Sequence, residues 1–345
     1  MDICLAAARL ALVAVLAVGA ARSVQAEESA GPGCTTSIVE SGQSEAGPAC
    51  TAIIEDPNAT HEARVLALLM RGIWHYRAWR PQEAKRDIER GLELVPDHAK
   101  LLQLLASLHL DNGDDAKAEE LARRSAEIDP NRSNTFEILA TIARRKGELR
   151  VALGYLNRAV ELRPDNAMAK YDRAQVLRKL NRASEALLDT SWLISQPTQN
   201  LDSAGMDFID GRYVPLALAS TIAHAEVLQS LERFEEAEAQ FNAIVSNDRN
   251  AFTLTQRSLF LHGLPIGAGM KSRLQEAMTD AKEAVGLDAR DARARRQYAS
   301  TLEYARRHSE ALAEIDVALE LERREDGMPA LLESRKAIAR TRKAR

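Results

Sequence analysis

His75 and His109 stand 34 residues apart. Two imidazoles repeated on successive helices could form a metal pair, but packing of each ring within its own helices is the simpler reading. His61-Glu62 begins a metalloprotease-like pattern that fails at once, because Val65 occupies the place of the second histidine in His-Glu-x-x-His. Gly267-Ala268-Gly269-Met270-Lys271-Ser272 has the Lys-Ser end of a phosphate loop. Met270 replaces the glycine that must precede the lysine, and no strand pattern leads into the segment. No Gly-x-Ser-x-Gly elbow for a nucleophile occurs. The sequence therefore predicts no catalytic residue, no cofactor and no metal site. Asn58-Ala59-Thr60 and Asn131-Arg132-Ser133 would be glycosylated only on a eukaryotic secretory route.

The chemistry that remains is that of thiols. Cys4, Cys34 and Cys50 are the three cysteines, and Cys4 lies in an N-terminal segment with the features of a signal peptide. Arg9 supplies a positive charge, Leu10 to Ala21 is an apolar run, and Val24-Gln25-Ala26 offers small residues for cleavage. That run is too short to span a hydrocarbon core of ~30 Å at ~1.5 Å per residue. Residues 1–26 are thus expected to be removed, leaving no stable membrane span and placing the chain in a periplasmic or secreted compartment. Cys34 and Cys50 would then pair as one disulfide. Between residues 27 and 60 there are six acidic side chains and no Lys or Arg, an acidic lead-in to the regular fold.

The chain has 345 residues, of which 28% are charged, 46% hydrophobic and only 4% aromatic, with a net charge of −4. A nucleic-acid binder would carry a basic surplus, so nucleic acid is not an expected partner. Abundant Ala, Leu, Arg and Glu favour helices packed through small side chains. A period of 34 residues runs through them. Pro96, Pro130 and Pro164 keep it, as do Ala84, Ala118, Ala152 and Ala186, and so do Gly72, Ala106, Ala140 and Ala174. Gly91, Ala126, Ala159 and Leu193 form a further slot. Small residues at recurrent positions allow two helices of a hairpin to approach closely. Proline ends the second helix, since it cannot donate the helical hydrogen bond, and a following Asp, Asn or Ser can cap the next helix.

Spacing and residue types together resemble the tetratricopeptide repeat family, with its small residues at positions 8, 20 and 27 and proline at 32. The resemblance implies an all-α solenoid, a right-handed superhelix of helix hairpins. Four regular units are expected over 61–198. The rhythm then breaks over an insertion at 199–216 and resumes in three units over 217–323, marked by Ala225, Ala237, Ala277, Ala299 and Ala311. Gly263 to Gly269 interrupts the sixth unit and is expected to loop out between its helices. Cys50 to Glu55 looks like a half-repeat helix ahead of the first unit. Residues 324–345 are expected to form a basic capping helix, which a solenoid needs at its end.

In this family the first helix of each pair lines a groove that binds peptides or protein segments. Positions 2, 5, 9, 12 and 13 should face inward. They place Lys100, Gln103 and Ser107 there in the second unit, Asn134, Glu137, Thr141, Arg144 and Arg145 in the third, and Tyr171, Gln175, Arg178 and Lys179 in the fourth, with Arg77 at the matching edge of the first. These residues form a candidate site for an acidic or carboxylate-bearing protein segment. A solvated stripe of cations at helix C-termini would give the same pattern. Leu69 and Ile73 stand where chaperone-binding members carry a Lys/Asn clamp, so that specificity is not expected here. The function implied is a non-catalytic protein-interaction scaffold of the bacterial cell envelope. The alternative is an enzyme or accessory subunit of a polysaccharide or secretion complex, with a small-molecule site built by the 199–216 or 263–269 insertions.

Overall fold

A computed structural model of the chain describes residues 29–35, 45–204, 206–209, 212–265 and 270–322. The expected signal peptide, residues 27–28 and 36–44 of the acidic lead-in and the basic capping helix at 324–345 lie outside the described residues. The chain divides into two compact units, 1–142 and 143–345. This boundary falls ahead of the 199–216 insertion.

The first unit opens with a short ribbon, β1 (Ser29–Gly31) and β2 (Cys34–Thr35), followed by α1 (Ala46–Glu55), α2 (His61–Arg77), α3 (Pro81–Leu94), α4 (Ala99–Asp111), α5 (Asp115–Ile128) and α6 (Ser133–Arg145), the last crossing the boundary. The second continues with α7 (Leu149–Leu162), α8 (Ala167–Lys179), α9 (Ala183–Ile194) and α10 (Thr198–Ala204). A second ribbon follows, β3 (Met206–Ile209) paired antiparallel with β4 (Arg212–Pro215). The rest is α11 (Leu216–Ser230), α12 (Phe234–Asn247), α13 (Ala251–His262), α14 (Met270–Leu287), α15 (Ala292–Tyr304) and α16 (His308–Glu322). The fold is an all-α repeat solenoid with two small β ribbons that the all-α expectation did not include.

Steric demand at the small slots explains the pairing of helices. Ala84, Ala106, Ala118, Ala140, Ala152, Ala174, Ala186, Ala225, Ala237, Ala277, Ala299 and Ala311 are all at most 2% exposed. A Cβ on Gly72 would sit 3.1 Å from Ile88 Cγ1, so the α2–α3 approach leaves no room for a larger residue. In the second unit of the repeat the third slot is Ser125, fully buried, rather than the half-buried Ala126. The Ser125 hydroxyl reaches the carbonyl of Ala99 at 2.9 Å, which is what permits a polar residue there.

The turn inside each hairpin has its own period. Trp79, Gly113, Gly147 and Asn181 lie 34 residues apart, and with Glu232 and Arg306 all have φ between 57° and 78°. In each case the next residue donates its N–H to the carbonyl five positions back, as Arg80 does to His75 at 2.9 Å and Arg307 to Leu302 at 2.8 Å. This is the left-handed helix C-cap, and it ends the first helix of six pairs at the same step. Starts are capped by side chains, among them Thr60, Asp114, Asn166 and Asp291, and Asn250 with Thr253 makes a full capping box.

The sixth pair departs from this scheme at Gly263, where φ is −82°. Ser258 takes the first small slot there, its buried hydroxyl donating to the carbonyl of Ala277 at 2.7 Å. Of the loop expected at Gly263 to Gly269, residues 266–269 lie outside the described residues.

Three pairs share a charged clamp that the spacing of small residues did not reveal. Arg71 donates to both carboxylate oxygens of Asp87 at 2.7 and 2.6 Å, Arg173 to Asp189 at 2.7 Å twice, and Arg257 to Asp280 at 2.7 and 2.6 Å. A third guanidinium nitrogen reaches back to the preceding helix, to Thr51, Asn157 and Asn242 respectively. Each clamp thus ties a hairpin to itself and to its neighbour by bidentate, charge-assisted bonds.

Candidate functional site

Cys34 and Cys50 form a disulfide, both fully buried. It fastens the β1–β2 ribbon to α1, and both strands also lie on α2. Trp74 of α2 closes tightly on α1, where a Cβ on Gly47 would fall 2.6 Å from the indole ring. The N-terminal side of the first hairpin is covered by this cross-linked element.

The seven candidate partner-binding residues fall in both compact units. In the first, Arg77 at the end of α2 is exposed, and Lys100 on α4 is half-buried. In the second, Arg145 and Lys179 are exposed, and Arg144 and Arg178 are half-buried because each meets a carboxylate from the next repeat. Arg144 pairs with Asp172 of α8 at 2.6 Å, and Arg178 pairs with Glu226 of α11 at 3.0 Å. The expected basic rim is in these places a ladder of ion pairs between successive first helices. Tyr171 does not face a groove at all. It is 1% exposed, its hydroxyl accepts a hydrogen bond from Gln175 at 3.2 Å, and it belongs to an apolar cluster with Leu193, Leu201, Val214 and Ile222. Position 5 is buried in the first and second pairs too, at Leu69 and Gln103, and here Leu201 and Val214 of the insertion join the cluster around it.

The two histidines of the 34-residue pair are held separately. His75 Nε2 lies 3.7 Å from Asp87, and His109 Nδ1 lies 3.1 Å from Asp114. Burial lowers the His75 pKa against the opposing pull of the Asp87 charge. Tyr76 donates to Asp111 at 2.6 Å, and burial followed by that carboxylate pushes its phenol well above the ordinary range. Among the described residues no group of three or more His, Cys, Asp or Glu is disposed to hold a metal ion. None of their helices is long and apolar enough to cross a membrane.

The insertions were the places where a small-molecule site could have been built. Leu201 and Val214 of the first are 3% exposed and packed on the repeats. Beside the second, Leu261, His262, Leu264, Pro265 and Tyr304 surround a cavity of about 20 Å³. That is room for a single water, against ~300 Å³ or more for a ligand pocket.

Two stretches, 69–133 and 139–190, match the tetratricopeptide repeat family model. The chain carries tetratricopeptide repeats over these residues. A comparison with curated proteins finds no match. Among solved structures, a tetratricopeptide repeat protein from Parabacteroides merdae aligns with 80% of this chain and 98% of its own, at 15% identity and a TM-score of 0.57. Pseudomonas aeruginosa pilF aligns with 71% and 99%, at 13% identity and 0.52. The APC/C hetero-tetramer Cut9–Hcn1 aligns with 77% of this chain and 47% of its own, at 15% identity and 0.55. At these identities the likeness is one of fold.

Proposed function

We propose that the chain is a non-catalytic interaction protein that holds segments of other proteins against the first helices of its repeat pairs. The observation that carries this reading is a division of labour within each pair. Small residues at fixed slots and large apolar ones such as Leu68, Ile88, Leu101 and Leu156 make the buried packing, while Ser107, Thr141, Gln175 and Lys179 at inward positions keep polar groups at or near the surface. Such rows suit main-chain and side-chain hydrogen bonding to an extended polypeptide. The ion pairs of Arg144 and Arg178 with Asp172 and Glu226 favour a partner of mixed charge over a purely acidic one.

The site of action we propose is the bacterial cell envelope. An apolar N-terminal run with a small-residue cleavage site supports export. The Cys34–Cys50 disulfide fits an oxidising compartment. Affinity capture from envelope extract, using the chain from residue 27 onward, tests the reading when run beside a variant with Ser107→Glu and Thr141→Glu, on α4 and α6. A partner recovered by the parent and lost by the variant is the expected result. Equal recovery by both would move binding off the inward face.

A further inference from the structure

Connections between other helix pairs in the second unit of the chain are short. Residues 163–166, 248–250 and 288–291 suffice between α7 and α8, α12 and α13, and α14 and α15. Between α9 and α11 the chain spends 195–215 instead. This excess is seated on the repeats. Helix α10 packs on α8 and α11, and both strands of the β3–β4 ribbon pack on α11. Leu201 and Val214 are buried in one cluster with Tyr171, Ala219, Ile222 and Phe252. Counted back from the small slot at position 8 (Ala174, Ala225 and Ser258), Tyr171 is position 5 of its repeat, Ala219 and Ile222 are positions 2 and 5 of theirs, and Phe252 is position 2. The insertion covers the positions that in other pairs would face a partner.

Its far end is tied down across the array. Arg212 donates to Asp291 at 2.9 Å and to Asp288 at 3.3 Å, between α14 and α15. Along β4, Arg212 and Val214 turn toward the repeats while Tyr213 and Pro215 are exposed. That alternation is what an extended segment shows when it lies on a surface. Arg212 keeps 38% of its side-chain surface and Asp288 43%, so water screens that pair, while the shorter bond to Asp291, only 10% exposed, supplies the firmer part of the tie.

We propose that α10 and the β3–β4 ribbon, residues 198–204, 206–209 and 212–215, are an intramolecular occupant of the inward face of the pairs beginning with α8, α11 and α13, latched by Arg212 on Asp288 and Asp291. The face admits a partner there only when the latch is released. A competing segment carries the same chemistry, a guanidinium and a branched apolar side chain two residues apart on an extended strand. The partner half of this inference rests on the interaction-scaffold reading; the latch itself does not.

The test uses the chain from residue 27 onward and three variants: Arg212→Glu, Asp288→Arg, and the two combined. Amide exchange at 212–215 should quicken about tenfold or more in each single variant and return toward the parent rate in the charge swap. Arg212→Gln provides a milder release if Arg212→Glu loses helical circular dichroism. A fluorescent peptide of residues 206–215 should then bind the released chain about tenfold more tightly than the parent. Unchanged exchange in Arg212→Glu and Arg212→Gln, or no recovery in the swap, would overturn the latch. Exchange that quickens without any gain in peptide binding would overturn the occupancy. Neither outcome depends on whether an external partner exists, so failure of the scaffold reading is separately visible.

Discussion

Replacing Arg173 by methionine separates a buried ion pair from its packing. The aliphatic stem is retained, but Asp189 loses two N–H donors at 2.7 Å while its side chain remains only 3% exposed. Removing one partner of a buried pair costs about 3–5 kcal/mol, because the other charge stays desolvated. Lys170 stands 4.0 Å from Asp189 and offers partial compensation, which places the expected loss near ~3 kcal/mol. With a slope of ~2–3 kcal/mol per molar, the urea midpoint of the segment should fall by about 1 M. Replacing both partners, Arg173→Met with Asp189→Leu, removes the unpaired charge and should return to within ~1 kcal/mol of the parent. Far-UV circular dichroism in urea, with amide exchange resolved at α8 and α9, follows both variants. A shift below about 0.3 M in the single variant, or a double variant no better than the single, would refute the reasoning.

Other consequences are as direct. Reducing the Cys34–Cys50 disulfide frees a loop of sequence separation 16, and should cost ~3 kcal/mol, with exchange rising first in α1 and α2. Trp79 is 92% exposed at a φ of 57°, so Trp79→Gly should stabilise the first hairpin by ~1 kcal/mol, visible as a higher melting temperature. Burial lowers the pKa values of His75, His224 and His262. The unfolded chain therefore takes up protons first, and stability should be level above about pH 7 and decline as pH falls through ~6.5. His262→Phe, which keeps a ring against Tyr304, should flatten that decline in urea midpoints measured from pH 8 to 5.

The helix pairs were legible because their slots exclude large side chains. Ala84, Ala118, Ala152 and Ala186 announce themselves by type as well as by spacing, and one sequence suffices to see them. Ser125 escaped because its hydroxyl is acceptable only through a carbonyl that lies 26 residues earlier. The clamps escaped for another reason. Arg and Asp are 16 residues apart in two of them and 23 in the third, and in a chain with 46 Lys and Arg against 50 Asp and Glu many pairs share such spacings. A shared pattern does exist, since each clamp arginine immediately precedes the first small slot, at Gly72, Ala174 and Ser258. Tyr171 was misread because helical register fixes a direction, not what arrives there from residues 201 and 214. Arg144 and Arg178 looked like an open rim for the same reason: their partners come from the following helices.

The account stands or falls on whether the first helix of a pair, not the second, meets another polypeptide. A photoreactive benzoylphenylalanine at Arg145, exposed on α6, can be compared with one at Val151, exposed on α7 of the same pair. Crosslinks to a partner protein from position 145 and none from 151 are what the inward-face reading predicts. Crosslinking from 151 alone, or equally from both, would contradict it.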